Sequence, residues 1–200
     1  MHKNVIISWS IEFGPLLLFF LSLFYLGSDN KGFLISTAIF TFSMVVALFF
    51  SYFYEKRVAL FPLITGTTAV SFGISTLIFE NPIIFILKDT FYNAFFAILI
   101  LITTLRGKSL MKILFYTLFD MSDRGWYILS IRWGIAFTVL FVGNEISWRY
   151  FGQDFWVVWK LWSTVGTMIF GFYQITLSKK YRNKSATKMG MRKDPFNTSV

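Results

Sequence analysis

The chain has 200 residues, 56% of them hydrophobic and only 14% charged, with 26 phenylalanines, no cysteine and a formal net charge of +9. Soluble domains average about 25% charged residues, so this composition excludes an ordinary soluble protein and points to a chain folded in lipid. Without cysteine there is neither a structural disulfide nor a thiolate nucleophile, and one helical bundle leaves no room for a separate catalytic domain.

Lys3 precedes the first apolar run, but no small-x-small cleavage site follows and Glu12 interrupts the pattern, so this segment reads as part of the mature protein. Six apolar blocks follow in order, at 11–27, 33–54, 58–79, 83–105, 126–143 and 155–177. About 20 helical residues cross a hydrocarbon core of about 30 Å, and an open strand edge cannot satisfy its backbone there. The expected fold is all-α, a polytopic transmembrane helical bundle. The first and fifth blocks are short and the fourth carries Lys88 and Asp89, so the reading allows five or six membrane segments. Pro15 and Pro62 fall near helix starts, where a missing N–H costs little. In the third block Gly66, Ala69, Ser71, Gly73 and Ser75 are small enough to let helices approach, with Ala69 and Gly73 marking one close contact and Ser71 and Ser75 another.

Between the fourth and fifth blocks, GKSLMKILFYTLFDMSDRG (107–125) spaces Ser109, Lys112, Tyr116, Asp120 and Asp123 at roughly helical intervals against an apolar side. Its strongly patterned part is too short to cross, so it predicts a short interfacial amphipathic helix. Beyond residue 178 the chain turns basic. The expected organisation is a membrane-embedded domain over 1–178 and a basic cytoplasmic tail over 179–200, whose cations face anionic lipid headgroups rather than nucleic acid. The sequons at Asn183 and Asn197 fall in this tail and read as chance matches.

Placing the amino terminus in the cytoplasm puts 14 basic residues inside and three (Lys31, Lys88 and Arg149) in or beside the outer connections, with Arg132 and Lys160 within helices. That bias predicts both termini cytoplasmic. Arg132 lies about 9 Å into the fifth helix and can snorkel inward, as Lys160 can outward. Glu145, Arg149 and Asp154 gather at the outer interface beside Trp148, Trp156, Trp159 and Trp162, and Glu145 and Arg149 share a face if the fifth helix continues through Trp148. This is the leading candidate site, as a salt-bridged cap, a partner- or lipid-binding patch, or a solute route. Lys88 and Asp89 can pair with headgroups, water or each other, and the deeper Asn93 fits a polar bond between helices.

No enzyme chemistry is expected. His2 is the only histidine and sits at a terminus. Gly107-Lys108-Ser109 lacks the glycine-rich cradle of a phosphate loop, and the carboxylates do not form a metal motif. No catalytic residue, cofactor or metal is expected.

Taken together, FGPLLLFF (13–20), KDTFYNAFFA (88–97), GKSLMKI (107–113), RWGIAFTVLFVGNE (132–145) and DFWVVWKLW (154–162) resemble the bacterial intracellular septation protein A family, also called the YciB inner-membrane family. The resemblance spans roughly residues 11–177. It implies a multi-pass protein of the bacterial inner membrane, supporting envelope biogenesis, envelope integrity and septation by organising envelope-synthesis or division membrane proteins. A small transporter or lipid-handling protein is the alternative, and self-association stays open. The resemblance puts Lys88, Lys108, Asn144, Asp154, Trp156 and Lys160 at family-like positions, while Asp89 stands where the family often has proline and Ser163 where it often has glycine.

Overall fold

Helices form where the apolar blocks lie because lipid offers no partner to a free N–H or C=O, and a helix satisfies both within one segment. The computed structural model describes residues 5–55, 60–116 and 118–192, except for the side chains of 5–12, 52–55 and 60–62. His2, Lys3, Asn197 and the side chains of Glu12 and Pro62 lie outside the described residues, as do Lys56, Arg57 and Lys193 of the 14 basic residues counted on the inner side. The helices are α1 (Val5–Leu26), α2 (Asn30–Glu55), α3 (Leu60–Ile78), α4 (Pro82–Leu105), α5 (Leu110–Phe115) and α6 (Asp123–Lys180). Among the described residues there is no β-strand, only two isolated bridges. By length and composition Asn30–Ser51, Pro82–Leu105 and Asp123–Lys180 suffice to cross a membrane, and Phe13–Leu26 and Leu63–Ile78 are shorter apolar stretches.

The chain divides into two compact units, Met1–Tyr92 and Asn93–Val200. In the first, Asp29 closes the α1–α2 turn, its Oδ1 accepting from the Gly32 N–H at 3.2 Å. Helices α2 and α3 then run antiparallel: a side chain at Gly66 would meet Leu48, and one at Gly73 would meet Thr41. The close face of α3 therefore carries Gly66, Ala69, Gly73 and Thr76, all buried, as i, i+3, i+7 and i+10 spacing dictates. Ala69 and Gly73 mark a close contact as expected. Ser71 and Ser75 do not, because Ser71 is exposed on another face and the Ser75 hydroxyl turns back to the Ser71 carbonyl.

In the second unit the fifth and sixth blocks join in one 58-residue element, α6, broken at Gly152 with φ 84° and ψ −177°. Only glycine adopts that conformation without strain. The arms 123–151 and 153–180 fold back on each other: the Trp133 and Phe170 rings meet edge-on at 5.1 Å, and the Trp159 indole lies against Gly143, where any side chain would collide with it. Phe96 of α4 stacks on Phe137 at 5.5 Å, tying the end of α4 to the first arm. Gly152→Ala is expected to cost about 1–3 kcal/mol and splay the hairpin. Spin-label distances between the arms would read this, and an unchanged distribution would contradict it.

Helical spacing runs on to Asp123 in the sequence, yet α5 stops at Phe115. Beyond it, backbone groups find partners outside a helix: Asp120 N–H donates to the Gly190 carbonyl at 3.0 Å and Ser122 N–H to the Tyr181 carbonyl at 2.9 Å. Ser109 caps α5 and bonds the Ser130 hydroxyl at 2.8 Å, fixing the short helix on the first arm.

Candidate functional site

The predicted aromatic and charged site lies where the α6 hairpin turns. The first arm continues to Phe151, so Glu145 and Arg149 do share a face and form an ion pair. Glu145 also accepts from the Trp148 indole at 3.0 Å, and the Arg149 guanidinium lies 4.4 Å from the Trp148 ring. One turn inward, the Trp156 indole N–H of the second arm donates to Asn144 Oδ1 at 2.7 Å, with both residues almost fully buried. A buried amide and a buried indole each need such a partner, so this bond sets the register between the arms. Asp154 is exposed and Lys160 half-buried on the second arm.

Towards the other end of the hairpin, Arg132 reaches across rather than along its own helix. Its guanidinium donates to Gln174 Oε1 at 3.2 Å and lies 5.3 Å from the Tyr173 ring. Lys108 is exposed in the turn after α4, and Asn93 is half-buried on α4. Gln174 escaped the sequence reading because nothing in its local pattern distinguishes a bonding glutamine from a spare one.

A second polar centre lies in the first unit. Lys88 sits about 9 Å along α4, yet only 7% of its surface is exposed, and Asp89 is equally buried. Their charged atoms are 3.5 Å apart. The Lys88 ammonium lies 4.2 Å from the Phe85 ring and 4.9 Å from the Phe40 ring, within a cluster completed by Phe19 and Phe33. Of the pairings the sequence allowed, the structure shows Lys88 with Asp89. Ser36 and Thr37, on the turn of α2 between Phe33 and Phe40, are fully buried with hydroxyls that meet no hydrogen-bond partner. An ion pair out of water repays its desolvation only with close geometry, so burial alone does not make this pair a source of stability.

At the far end of the second unit, residues 181–192 fold back as a clasp around 118–122. Asp120 is its centre: one carboxylate oxygen accepts from Asn183 Nδ2 and the other from Ser185 Oγ, both at 2.6 Å. Antiparallel bridges join Met121 to Arg182 and Phe119 to Met191. The Ser185 hydrogen bond, then that from Asn183 and the charge of Arg192, hold the Asp120 carboxyl below the usual carboxylate range against the opposing effect of burial. The clasp is therefore fully stabilised above about pH 3.9, the ordinary aspartate value, and loses this contribution as pH falls through the lower folded value. Spin labels on cysteines introduced at Tyr116 and Lys184 of this cysteine-free chain should show the distance broadening only in that acidic range; broadening near neutrality would contradict it. Among the described residues no three histidine, aspartate or glutamate side chains gather as a metal site requires.

Long apolar helices, polar groups satisfied across helix faces and a basic end together define a helical membrane protein. The chain matches the family described as intracellular septation protein A over residues 7–185. It is 35% identical over 182 residues to the inner membrane-spanning protein YciB of Sinorhizobium medicae, covering 86% of this chain and 87% of that one. The YciB proteins of Nitrobacter hamburgensis and Brucella melitensis are each 33% identical, over 88% and 86% of this chain and 86% and 92% of theirs. No solved structure matches. The chain belongs to the intracellular septation protein A family, and it is an inner-membrane protein.

Proposed function

We propose that the protein supports envelope biogenesis, envelope integrity and septation by holding envelope-synthesis or division membrane proteins beside the bilayer, without catalysing a reaction and without a cofactor. In this reading it is multi-pass with both termini cytoplasmic, and the basic residues at its inner end contact lipid headgroups. The observation that carries it is the mutual engagement of the hairpin's polar groups. Asn144 binds Trp156, Glu145 binds Trp148 and Arg149, and Arg132 binds Gln174, which stiffens the hairpin and leaves Ile135, Val139, Trp162 and Ile169 exposed along its outside. A rigid helix pair with apolar outer faces suits lateral association in lipid. Photo-crosslinkers at Val139 and Trp162 in growing cells should capture the same envelope-synthesis or division membrane proteins in every preparation. Adducts to lipid alone would defeat the proposal.

The second reading, a small transporter or lipid-handling protein, draws on the first unit. Lys88 and Asp89, together with the buried Ser36 and Thr37 hydroxyls of the same unit, put polar groups inside an apolar unit, as a solute or proton route requires. Solute flux or lipid movement in proteoliposomes, abolished by joint Lys88→Met and Asp89→Leu replacement in a folded protein, would favour it. Equal flux with the double variant would remove it.

A further inference from the structure

The basic end of the chain is a built surface rather than a loose tail. Seven backbone and side-chain hydrogen bonds define its shape beyond the bridges already described: Thr187 N–H to the Met191 carbonyl, Gly190 N–H to the Thr187 carbonyl, Ala186 N–H to the Asn183 carbonyl, Arg192 N–H to the Leu118 carbonyl, Arg182 to the Lys188 carbonyl, Ser178 to the Met189 carbonyl and Met191 N–H to the Thr187 hydroxyl. This order fixes where the cations stand. Arg182, Lys184 and Lys188 are exposed on the clasp, Lys180 is exposed at the end of α6 and Arg124 at its start. Among the described residues the acidic groups of the same end are both engaged, Asp120 inside the clasp and Asp123 with Lys112 at 2.7 Å. Interleaved with the cations are apolar side chains that a solvated face would not display: Ile113 of α5 is 61% exposed, Leu118 54% and Met189 50%.

We propose that α5, residues 118–122 and the clasp form one binding site for the headgroups of anionic phospholipids, with Asp120 as its organising residue. The inference deepens the headgroup contact proposed above and rests on it. Cations at fixed positions meet the lipid phosphates, and the exposed apolar side chains enter the boundary between headgroups and acyl chains. This combination suits a lipid surface better than a soluble acidic partner, which would leave Ile113, Leu118 and Met189 facing water. Asp120 carries a negative charge at the centre of a site for negative charge, and its role is to bend the chain so that the lysines and arginines converge.

That role reverses the sign of a simple electrostatic expectation. Asp120→Ala takes the formal net charge from +9 to +10. If the basic residues act only by their charge, binding of anionic lipid strengthens; if the clasp arranges them, it weakens. Full-length protein in detergent, mixed with phosphatidylglycerol or phosphatidylethanolamine and examined by native mass spectrometry, reads this directly. The wild type should retain phosphatidylglycerol in preference, and Asp120→Ala should reduce that retention about fivefold, the weight of one well-placed cation. Asn183→Ala with Ser185→Ala opens the same clasp at constant charge and should do likewise, which guards against a misfolded Asp120 variant. Retention that is unchanged or increased in both variants overturns the organised site while leaving the headgroup contact standing. Equal retention of the two lipids by the wild type overturns both.

Discussion

Asp89→Leu alone is expected to destabilise the protein by about 3–5 kcal/mol, whereas Lys88→Met together with Asp89→Leu is expected to leave stability unchanged or to raise it. The single change removes the Asp89 carboxylate from beside an ammonium that is 7% exposed and held among phenylalanine rings, taking charge compensation away where water is scarce. The double change removes both desolvation costs and puts side chains of similar bulk against Phe40 and Phe85. Unfolding of the purified protein in bicelles by steric trapping measures the three stabilities. Equal losses for the single and double variants would show that the pair is itself a net source of stability. If the double variant is as stable as the wild type but fails to support a strain lacking the protein, the pair serves function instead, and the solute-route reading gains.

The second large effect is expected at the hairpin. Trp156 is fully buried, so Trp156→Ala should cost about 3–5 kcal/mol through the cavity it opens. Trp156→Phe keeps most of the ring but takes the indole donor from Asn144, and about 1–3 kcal/mol is expected from that loss. Asn144→Leu in the Trp156→Phe background should recover part of it, because the amide no longer has to be satisfied in an apolar setting. A double-mutant cycle read by the same unfolding assay decides the point, and strictly additive losses would mean that the bond does not couple the arms.

Much of this architecture is legible because depth in a bilayer constrains sequence so strongly. The second and fourth blocks, 33–54 and 83–105, fall within α2 and α4, and the interval 126–143 lies wholly in the first arm of α6. Glu145 and Arg149 could be paired from their spacing once the helix reached Trp148. What the sequence hides is whatever depends on direction or distance along the chain. Lys88 and Asp89 read as groups at a boundary, because nothing local says that their side chains turn inward among phenylalanines. Gly152 shares its positive φ with Gly27, Gly107 and Gly190, and nothing in the sequence marks it as the one that breaks a long helix. Asp120 and Asn183 are 63 residues apart, and the sequon at Asn183 says nothing of a bond to Asp120, so the clasp emerges only when both arms of α6 return to the same end.

The break at Gly152 fixes a length as well as a direction. Each arm of α6 runs about 43 Å at the ordinary helical rise, against a hydrocarbon thickness of about 30 Å. If both arms cross, they overshoot the apolar layer by about 13 Å, which would put the Gly152 turn among headgroups and water on one side and the clasp on the other. Because Asn144–Trp156 and Arg132–Gln174 pin the arms together near both ends, neither arm can shorten or slide alone. If both arms cross the membrane, a thinner bilayer would have to tilt the hairpin as a whole instead of shortening one arm.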